Sequence, residues 1–121
     1  MTDRKELTSQ QMWEEVLKKC GFEYYIASGN WRSPDGNRYP DIPEVNDERF
    51  LGFFFKWVVP ELKKRELRIT YNVDFSSPDF GKHTLHYWAI FRGAHQLLGM
   101  GENDDVAEAL LQAAWEVLCG K

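Results

Sequence analysis

The stretch ELRITYNVDFSSPDFGKHTLHYWAIFRG, residues 66–93, carries the clearest structural pattern in the chain. Apolar and polar residues alternate through two runs, 67–75 and 85–92, which is the period-two pattern of half-buried strands. Between the runs, residues 76–81 have a composition typical of a turn. We therefore expect an antiparallel strand pair. Because an isolated pair is marginal in water, we also expect helices to pack on its apolar face.

The alternation assigns the side chains to two faces of this predicted pair. The apolar face takes the odd-numbered residues of both runs: Leu67, Ile69, Tyr71, Val73, Phe75, Leu85, Tyr87, Ala89 and Phe91. The second face takes the even-numbered residues: Arg68, Thr70, Asn72, Asp74, His86, Trp88, Ile90 and Arg92. Trp88 and Ile90 belong to the core if helices cover both faces, and to a binding surface if the second face is open.

Local signals predict three helices around the strand pair. The first spans about residues 9–20 and opens with a capping box formed by Thr8 and Gln11. The second covers about 50–62, where an acidic start and a basic end favour a helix although the aromatic run also suits a strand. The third begins after Asp105, whose side chain is placed to cap it.

The segments between the helices read as loops and short strands. Two prolines disfavour a helix within 22–43, and the Pro-Asp-Gly-Asn turn at 34–37 predicts a small hairpin there. We expect this segment to be packed by its aromatic side chains. Asn46 or Asp47 is placed to cap the second helix. The glycines at 99 and 101 are expected in a loop that leads to the third helix.

Composition limits the class of protein. A chain of 121 residues that is 43% apolar is expected to form one domain, 1–121, with 1–7 as a frayed terminus. The element order predicts an α+β fold, a layered α/β sandwich whose strand pair or small sheet packs against N-terminal, central and C-terminal helices. The net charge of −4 makes nucleic acid an improbable partner. Without a secretory signal or membrane-spanning run, we expect a cytoplasmic protein with Cys20 and Cys119 reduced.

No catalytic or metal-binding pattern stands out. His83 and His86 are three residues apart on a predicted strand and so point to opposite faces, while His95 lies in the following loop. No cysteine or carboxylate cluster has zinc spacing, and no nucleophile elbow, P-loop or dinucleotide motif occurs. We therefore expect no metal, no cofactor and no enzymatic activity.

Two groups of residues combine aromatic and basic side chains, a combination enriched at interfaces. Binding residues gather on loops over a rigid scaffold, and the first group lies on the predicted hairpin loop: Trp31, Arg32, Arg38 and Tyr39. The second group lies along the strand pair: Arg68, His86, Trp88 and Arg92. Packing alone would also explain Trp31 and Tyr39. We predict that both groups bind the protein's target.

The order of these features resembles the phage ABA sandwich domain over about residues 10–118. The likeness is carried by the helix that ends at Cys20-Gly21, the segment Trp31-Arg32-Ser33-Pro34-Asp35-Gly36, the segment Tyr39-Pro40-Asp41-Ile42-Pro43, the strand pair, and Ala107-Glu108-Ala109 in the last helix. The resemblance implies α/β/α layers and a phage or prophage origin, with no established activity. The very aromatic central helix and its Pro60 depart from the pattern.

A narrower likeness covers about residues 66–118. The run GENDDVAEA at 101–109 follows a strand pair and is similar to HicB-type antitoxins, although the threonine of their Gly-Asp-Thr pattern is missing here. This likeness implies an antitoxin or a nucleic-acid-associated regulatory module.

Our first functional prediction is a small non-enzymatic phage or prophage accessory protein that binds a host protein or a small ligand. A role in countering host defence follows from the resemblance and the small size. The HicB-like module is the alternative. The generous apolar content also makes a homo-oligomer plausible.

Overall fold

The protein's structure, a computed structural model, describes residues 7–74 and 85–120. It has an α+β fold, as predicted, with three helices: α1 (Ser9–Lys19), α2 (Phe50–Lys64) and α3 (Val106–Leu118). The six strands are β1 (Glu23–Tyr25), β2 (Asn30–Arg32), β3 (Arg38–Tyr39), β4 (Leu67–Asp74), β5 (Leu85–Arg92) and β6 (Gln96–Asn103). The predicted turn at 76–81, together with Phe75 and His83, lies outside the described residues.

The strand pair is confirmed, but it is part of a larger sheet. Strands β4, β5 and β6 form an antiparallel sheet in that order, and β6 occupies the segment expected to be a loop. Gly101 explains why this strand carries little side-chain signal. A Cβ atom there would lie 1.8 Å from the Ala109 carbonyl oxygen, so α3 approaches β6 too closely for any other residue.

The predicted faces of β5 are reversed. Ile69 pairs with Ile90 and Tyr71 with Trp88, so Trp88 and Ile90 share the helix-covered face with the odd-numbered residues of β4. Leu85, Tyr87, Ala89 and Phe91 lie instead on the opposite face with Arg68. Large apolar residues occur at both parities of β5, so its alternation does not say which parity is buried. The close contact between β6 and α3 decides it.

The helices form two layers on one side of this sheet. Helix α3 packs directly on β5 and β6, and α2 reaches β4. Helix α1 packs mainly on α3. Trp115 of α3 connects the two helix layers, because its Nε1 donates to Glu15 Oε1 of α1 (3.0 Å). The fully buried Trp13 of α1 donates from Nε1 to the carbonyl of Pro43, in the loop before α2 (2.8 Å).

Two of the three predicted helix caps are present in the structure. The capping box of Thr8 and Gln11 is present, and Asp105 accepts hydrogen bonds from the first-turn backbone of α3. The second helix is confirmed as a helix, but its predicted cap is wrong. Helix α2 has Arg49 at the N-cap without a side-chain cap, because Asp47 binds Arg49 itself.

A second, smaller sheet has the order β1-β2-β3 and includes the predicted hairpin. Trp31 pairs with Tyr24 on one side and Tyr39 on the other. The three rings lie on the inner face of this sheet, where Tyr39 contacts Phe22 with ring centroids 6.4 Å apart. The predicted packing of this segment by its aromatic side chains is therefore confirmed.

Candidate functional site

The first predicted group divides between the two faces of the small sheet. Neighbouring residues of a strand point to opposite sides, so Trp31 and Tyr39 turn inward while Arg32 and Arg38 turn outward. Trp31 is only 7% exposed and belongs to the core. The structure brings the two arginines together, and Trp31, although it turns inward, lines the same cavity as they do, while Tyr39 lines a different cleft.

Arg32 and Arg38 are direct cross-strand partners on the outer face of the small sheet. Opposite residues of this kind have Cβ atoms about 5 Å apart, so the two positive charges are held close together. The Arg32 guanidinium lies over the Tyr25 ring, 4.6 Å from its centroid, and the Tyr25 hydroxyl donates to Glu23 (2.9 Å). Tyr25 therefore orients Arg32 through its ring and occupies the nearest carboxylate through its hydroxyl.

The carboxylate of Glu23, the cross-strand neighbour of Arg32, lies on the same face as these arginines but forms no ion pair with them. Across residues 7–74 and 85–120, the ion pairs involve Arg49, Lys64 and Arg65, and neither Arg32 nor Arg38 forms one. In the same ranges the Nε atom of Arg32 is buried and has no acceptor. An unsatisfied buried donor costs about 1–3 kcal/mol, and this cost falls when an acceptor reaches it. Because this Nε atom is buried, an anion from outside the chain would bind the other N–H groups of the two guanidiniums.

A shallow cavity of about 180 Å³ lies at this position. Its lining includes Tyr25, Asn30, Arg32 and Arg38. Sites for drug-sized ligands have volumes of about 300–1,000 Å³, so this cavity suits a single small group such as a carboxylate or phosphate. The Asn30 amide adds a side chain that can both donate and accept hydrogen bonds.

A larger cleft of about 450 Å³ lies on the other side of β3. Tyr39, Phe53 and Trp57 supply its aromatic walls, with Lys56 and Arg49 among the charged lining residues. The Lys56 Nζ atom lies 5.2 Å from the Trp57 ring centroid. Sequence reasoning placed Phe53 and Trp57 in a buried helix and so missed the cleft. Of the first predicted group, the half-buried Tyr39 lines this cleft.

The second predicted group is not assembled into one site. Trp88 is 8% exposed and its Nε1 donates to the Val106 carbonyl (3.1 Å), so it is a core residue. His86 shares a 2.5 Å hydrogen bond with the Tyr71 hydroxyl. Arg92 lies six residues along the same strand, roughly 20 Å away. Arg68 lies on the opposite face, 4.8 Å from the Phe91 ring centroid.

The thiols offer no reactive centre. Burial raises the pKa of the Cys20 thiol to about 12, and desolvation raises that of Cys119 to about 11. Both cysteines are free, as predicted, and both are protonated at neutral pH.

In the described part of the chain, no group of three or more His, Cys, Asp or Glu side chains is placed to hold a metal ion. Within the same residues, no helix is long and apolar enough to cross a bilayer. Comparisons with protein families, curated proteins and solved structures found no match to this chain.

Proposed function

We propose that the protein acts by binding, and that its target presents an anionic group to Arg32 and Arg38. The observation that carries this proposal is a pair of adjacent arginines that forms no ion pair within the described residues, in a chain of net charge −4. Guanidinium groups bind carboxylate and phosphate through paired hydrogen bonds, which are stronger than neutral ones. Such a pair on an acidic protein selects for one local anion.

The surroundings support a small contact rather than an enclosed pocket. The cavity admits one carboxylate or phosphate, while the exposed Tyr25 leaves apolar surface beside it for the rest of the target. This arrangement suits an acidic side chain or phosphate on a protein, or a small anionic ligand. The phage setting and the role against host defence rest on the sequence resemblance and stay predictions.

The test is a titration with inorganic phosphate and with acetate, followed by NMR of the arginine Nε–H signals. We expect saturable shifts of the Arg32 signal with a Kd of about 1 mM, which corresponds to about −4 kcal/mol. Arg32→Gln should weaken binding by about tenfold or more, because it removes hydrogen bonds to a charged group. Arg38→Gln should weaken it about three- to tenfold.

Arg92→Gln is the matched control, since Arg92 is exposed, carries the same charge and lies on the other sheet. It should leave the Kd unchanged. A lack of saturation up to about 20 mM of either anion, some 20 times the expected Kd, would remove the proposal. Equal weakening by all three substitutions would show a general charge effect and remove it as well.

The HicB-like alternative requires phosphates of nucleic acid to bind at the same arginines. Two phosphate contacts predict a slope of about −1.4 to −1.8 for log K against log salt concentration with a single- or double-stranded oligonucleotide. Oligonucleotide binding with this slope that Arg32→Gln weakens would favour this alternative, and a much steeper slope would show contacts to cations other than these two arginines.

A further inference from the structure

The sheet β4-β5-β6 has one face without a described covering. Helices α2 and α3 pack on the face that holds Ile69, Trp88 and Ile90. The other face is apolar at its centre and none of its side chains is buried: Leu85, Tyr87, Ala89, Phe91, Leu97 and Met100. Leu97 is 50% exposed and Met100 47%. We name this surface the outer sheet face.

Charged residues of opposite sign lie at opposite ends of the outer sheet face, with Arg68 at one end and the acidic Asp74 and Glu102 at the other. The register defines a row Arg68–Phe91–Leu97 and, four residues along β5, a row Asn72–Tyr87–Glu102. Arg68 is on the β4 edge and Glu102 on the β6 edge, so the diagonal runs from a positive to a negative corner. The rows are roughly 14 Å apart and the two edge strands about 10 Å apart.

This charge pattern is complementary to itself. A two-fold axis in the plane of the interface, perpendicular to the diagonal, places Arg68 of one copy over Glu102 of the other. The same rotation forms the second, equivalent pair, as an isologous interface requires. The strands of the two sheets then cross at roughly 70°, close to the near-orthogonal class of sheet packing, with the apolar residues between them.

Arg68 is held in a position suited to this contact. Its guanidinium lies over the Phe91 ring, and one Nη atom donates to the Ala94 carbonyl (3.2 Å). A guanidinium has five N–H donors, so others stay available for a carboxylate. A partner of uniform charge would meet a like charge at one of the two corners, which favours a second copy over an acidic or a basic protein.

We propose that the outer sheet face binds a second copy of this chain and forms a two-fold dimer through paired Arg68–Glu102 contacts. Three strands of eight residues present roughly 14 by 27 Å per copy. This flat area is at most roughly 380 Å² per copy, about half of the 800 Å² that a standard interface buries on each side, so the dimer is weak and depends on concentration. The anion site is on the other sheet, and neither proposal requires the other.

The experiment is sedimentation velocity from about 1 µM to 1 mM, a range chosen for a weak interface. We expect the sedimentation coefficient to rise from monomer to dimer. Arg68→Glu and Glu102→Arg each place like charges in both contacts, so each should raise the dimer Kd at least tenfold. Circular dichroism checks that both variants fold.

An equimolar mixture of the two variants provides the decisive comparison. In the mixed dimer, the glutamate introduced by Arg68→Glu faces the arginine introduced by Glu102→Arg, and the unchanged Glu102 of the first variant faces the unchanged Arg68 of the second. Association should therefore return to within about threefold of the original Kd, because both contacts again join opposite charges.

Arg92→Glu, on the other face of the sheet, is the control and should have no effect on the Kd. A chain that stays monomeric to about 1 mM would overturn the proposal. Folded single variants that dimerise normally, or a mixture that does not recover, would overturn it too.

Discussion

The two sheets of this protein are both antiparallel, but they differ in strand length and in what covers their faces. The C-terminal sheet has three strands of eight residues, and α3 covers one of its faces so closely that β6 needs glycine at Gly99 and Gly101. The N-terminal sheet has strands of three, three and two residues, and its outer face carries two arginines that form no described ion pair and the exposed ring of Tyr25. The larger sheet supports the fold and the smaller one presents side chains.

Gly101 in the larger sheet and Gly36 in the smaller one are glycine for different reasons. At Gly101 an added Cβ would clash with the backbone of α3, while at Gly36, in the β2–β3 turn, it would meet nothing within 4 Å. Gly36 is needed only for its backbone, which has φ +91°. The first glycine allows two layers to touch, and the second allows a chain to reverse direction on the surface.

The largest expected effect comes from Gly101→Ala. The Cβ atom cannot be accommodated without moving α3 away from the sheet, because the nearest atoms are backbone. We expect a loss of at least about 3 kcal/mol in the free energy of unfolding, above the usual range for overpacking. Urea denaturation followed by tryptophan fluorescence measures it.

Gly52→Ala is the matched control. Gly52 is exposed in α2, has nothing within 4 Å of its added Cβ, and should gain about 0.5–1 kcal/mol from the better helix former. A loss at position 101 no larger than about 1 kcal/mol would contradict the close packing of β6 on α3.

Local signals account for the parts of the fold that the sequence predicts well. Thr8 with Gln11 and the Asp105 cap mark the starts of α1 and α3, because capping depends on residues within one helical turn. Strand β6 has no such signal. Its glycines weaken a strand in isolation, and the reason for them is the backbone of α3, which contacts β6 only once the chain has folded.

The sequence predicts the candidate anion site only in part, because the faces of the small sheet depend on how its strands pair. Arg32 and Arg38 were identified, but Trp31 and Tyr39 were grouped with them because the segment was read as a loop. Once it is a strand, the alternation places the arginines on one face and the two aromatic residues on the other, although Trp31 still lines the cavity of the arginines. The cleft beside Trp57 had no sequence signal, since an aromatic run on a helix has the same composition whether one ring is covered or lines a cleft.

A smaller effect is expected from Gly36→Ala. The substitution adds no clash, so the cost is that of holding an alanine in the left-handed region, about 1–2 kcal/mol. Because Arg38 follows the turn closely, the weakened hairpin should also loosen phosphate binding about two- to fivefold, a change below the 1.4 kcal/mol that corresponds to tenfold. Urea denaturation measures the stability cost, and the NMR titration measures the phosphate affinity. Asn37→Ala is the comparison that tests the polar contacts of the same turn. A cost equal to that of Gly101→Ala would erase the distinction between the sheets.

The smallest effect concerns pH and the same turn. The Asp35 carboxylate accepts hydrogen bonds from the Ser33 hydroxyl and from the backbone and side chain of Asn37. The Ser33 contact is the main reason that the pKa of Asp35 is below its ordinary value. A group whose pKa is lower in the folded state contributes stability above the unfolded pKa, about 3.9, and loses that contribution as the pH falls through the folded pKa.

We therefore expect the β2–β3 hairpin to loosen on acidification below about pH 4, while the C-terminal sheet is unaffected by this group. NMR chemical shifts of the Ser33 and Asn37 amides, followed from about pH 6 downward, measure the change against amides of β5. In Asp35→Asn the two amides should lose this titration. A pKa of Asp35 at or above about 3.9 would contradict the prediction. If the β5 amides follow the same titration curve, the turn does not respond independently, and the contrast between the two sheets is weaker than their packing indicates.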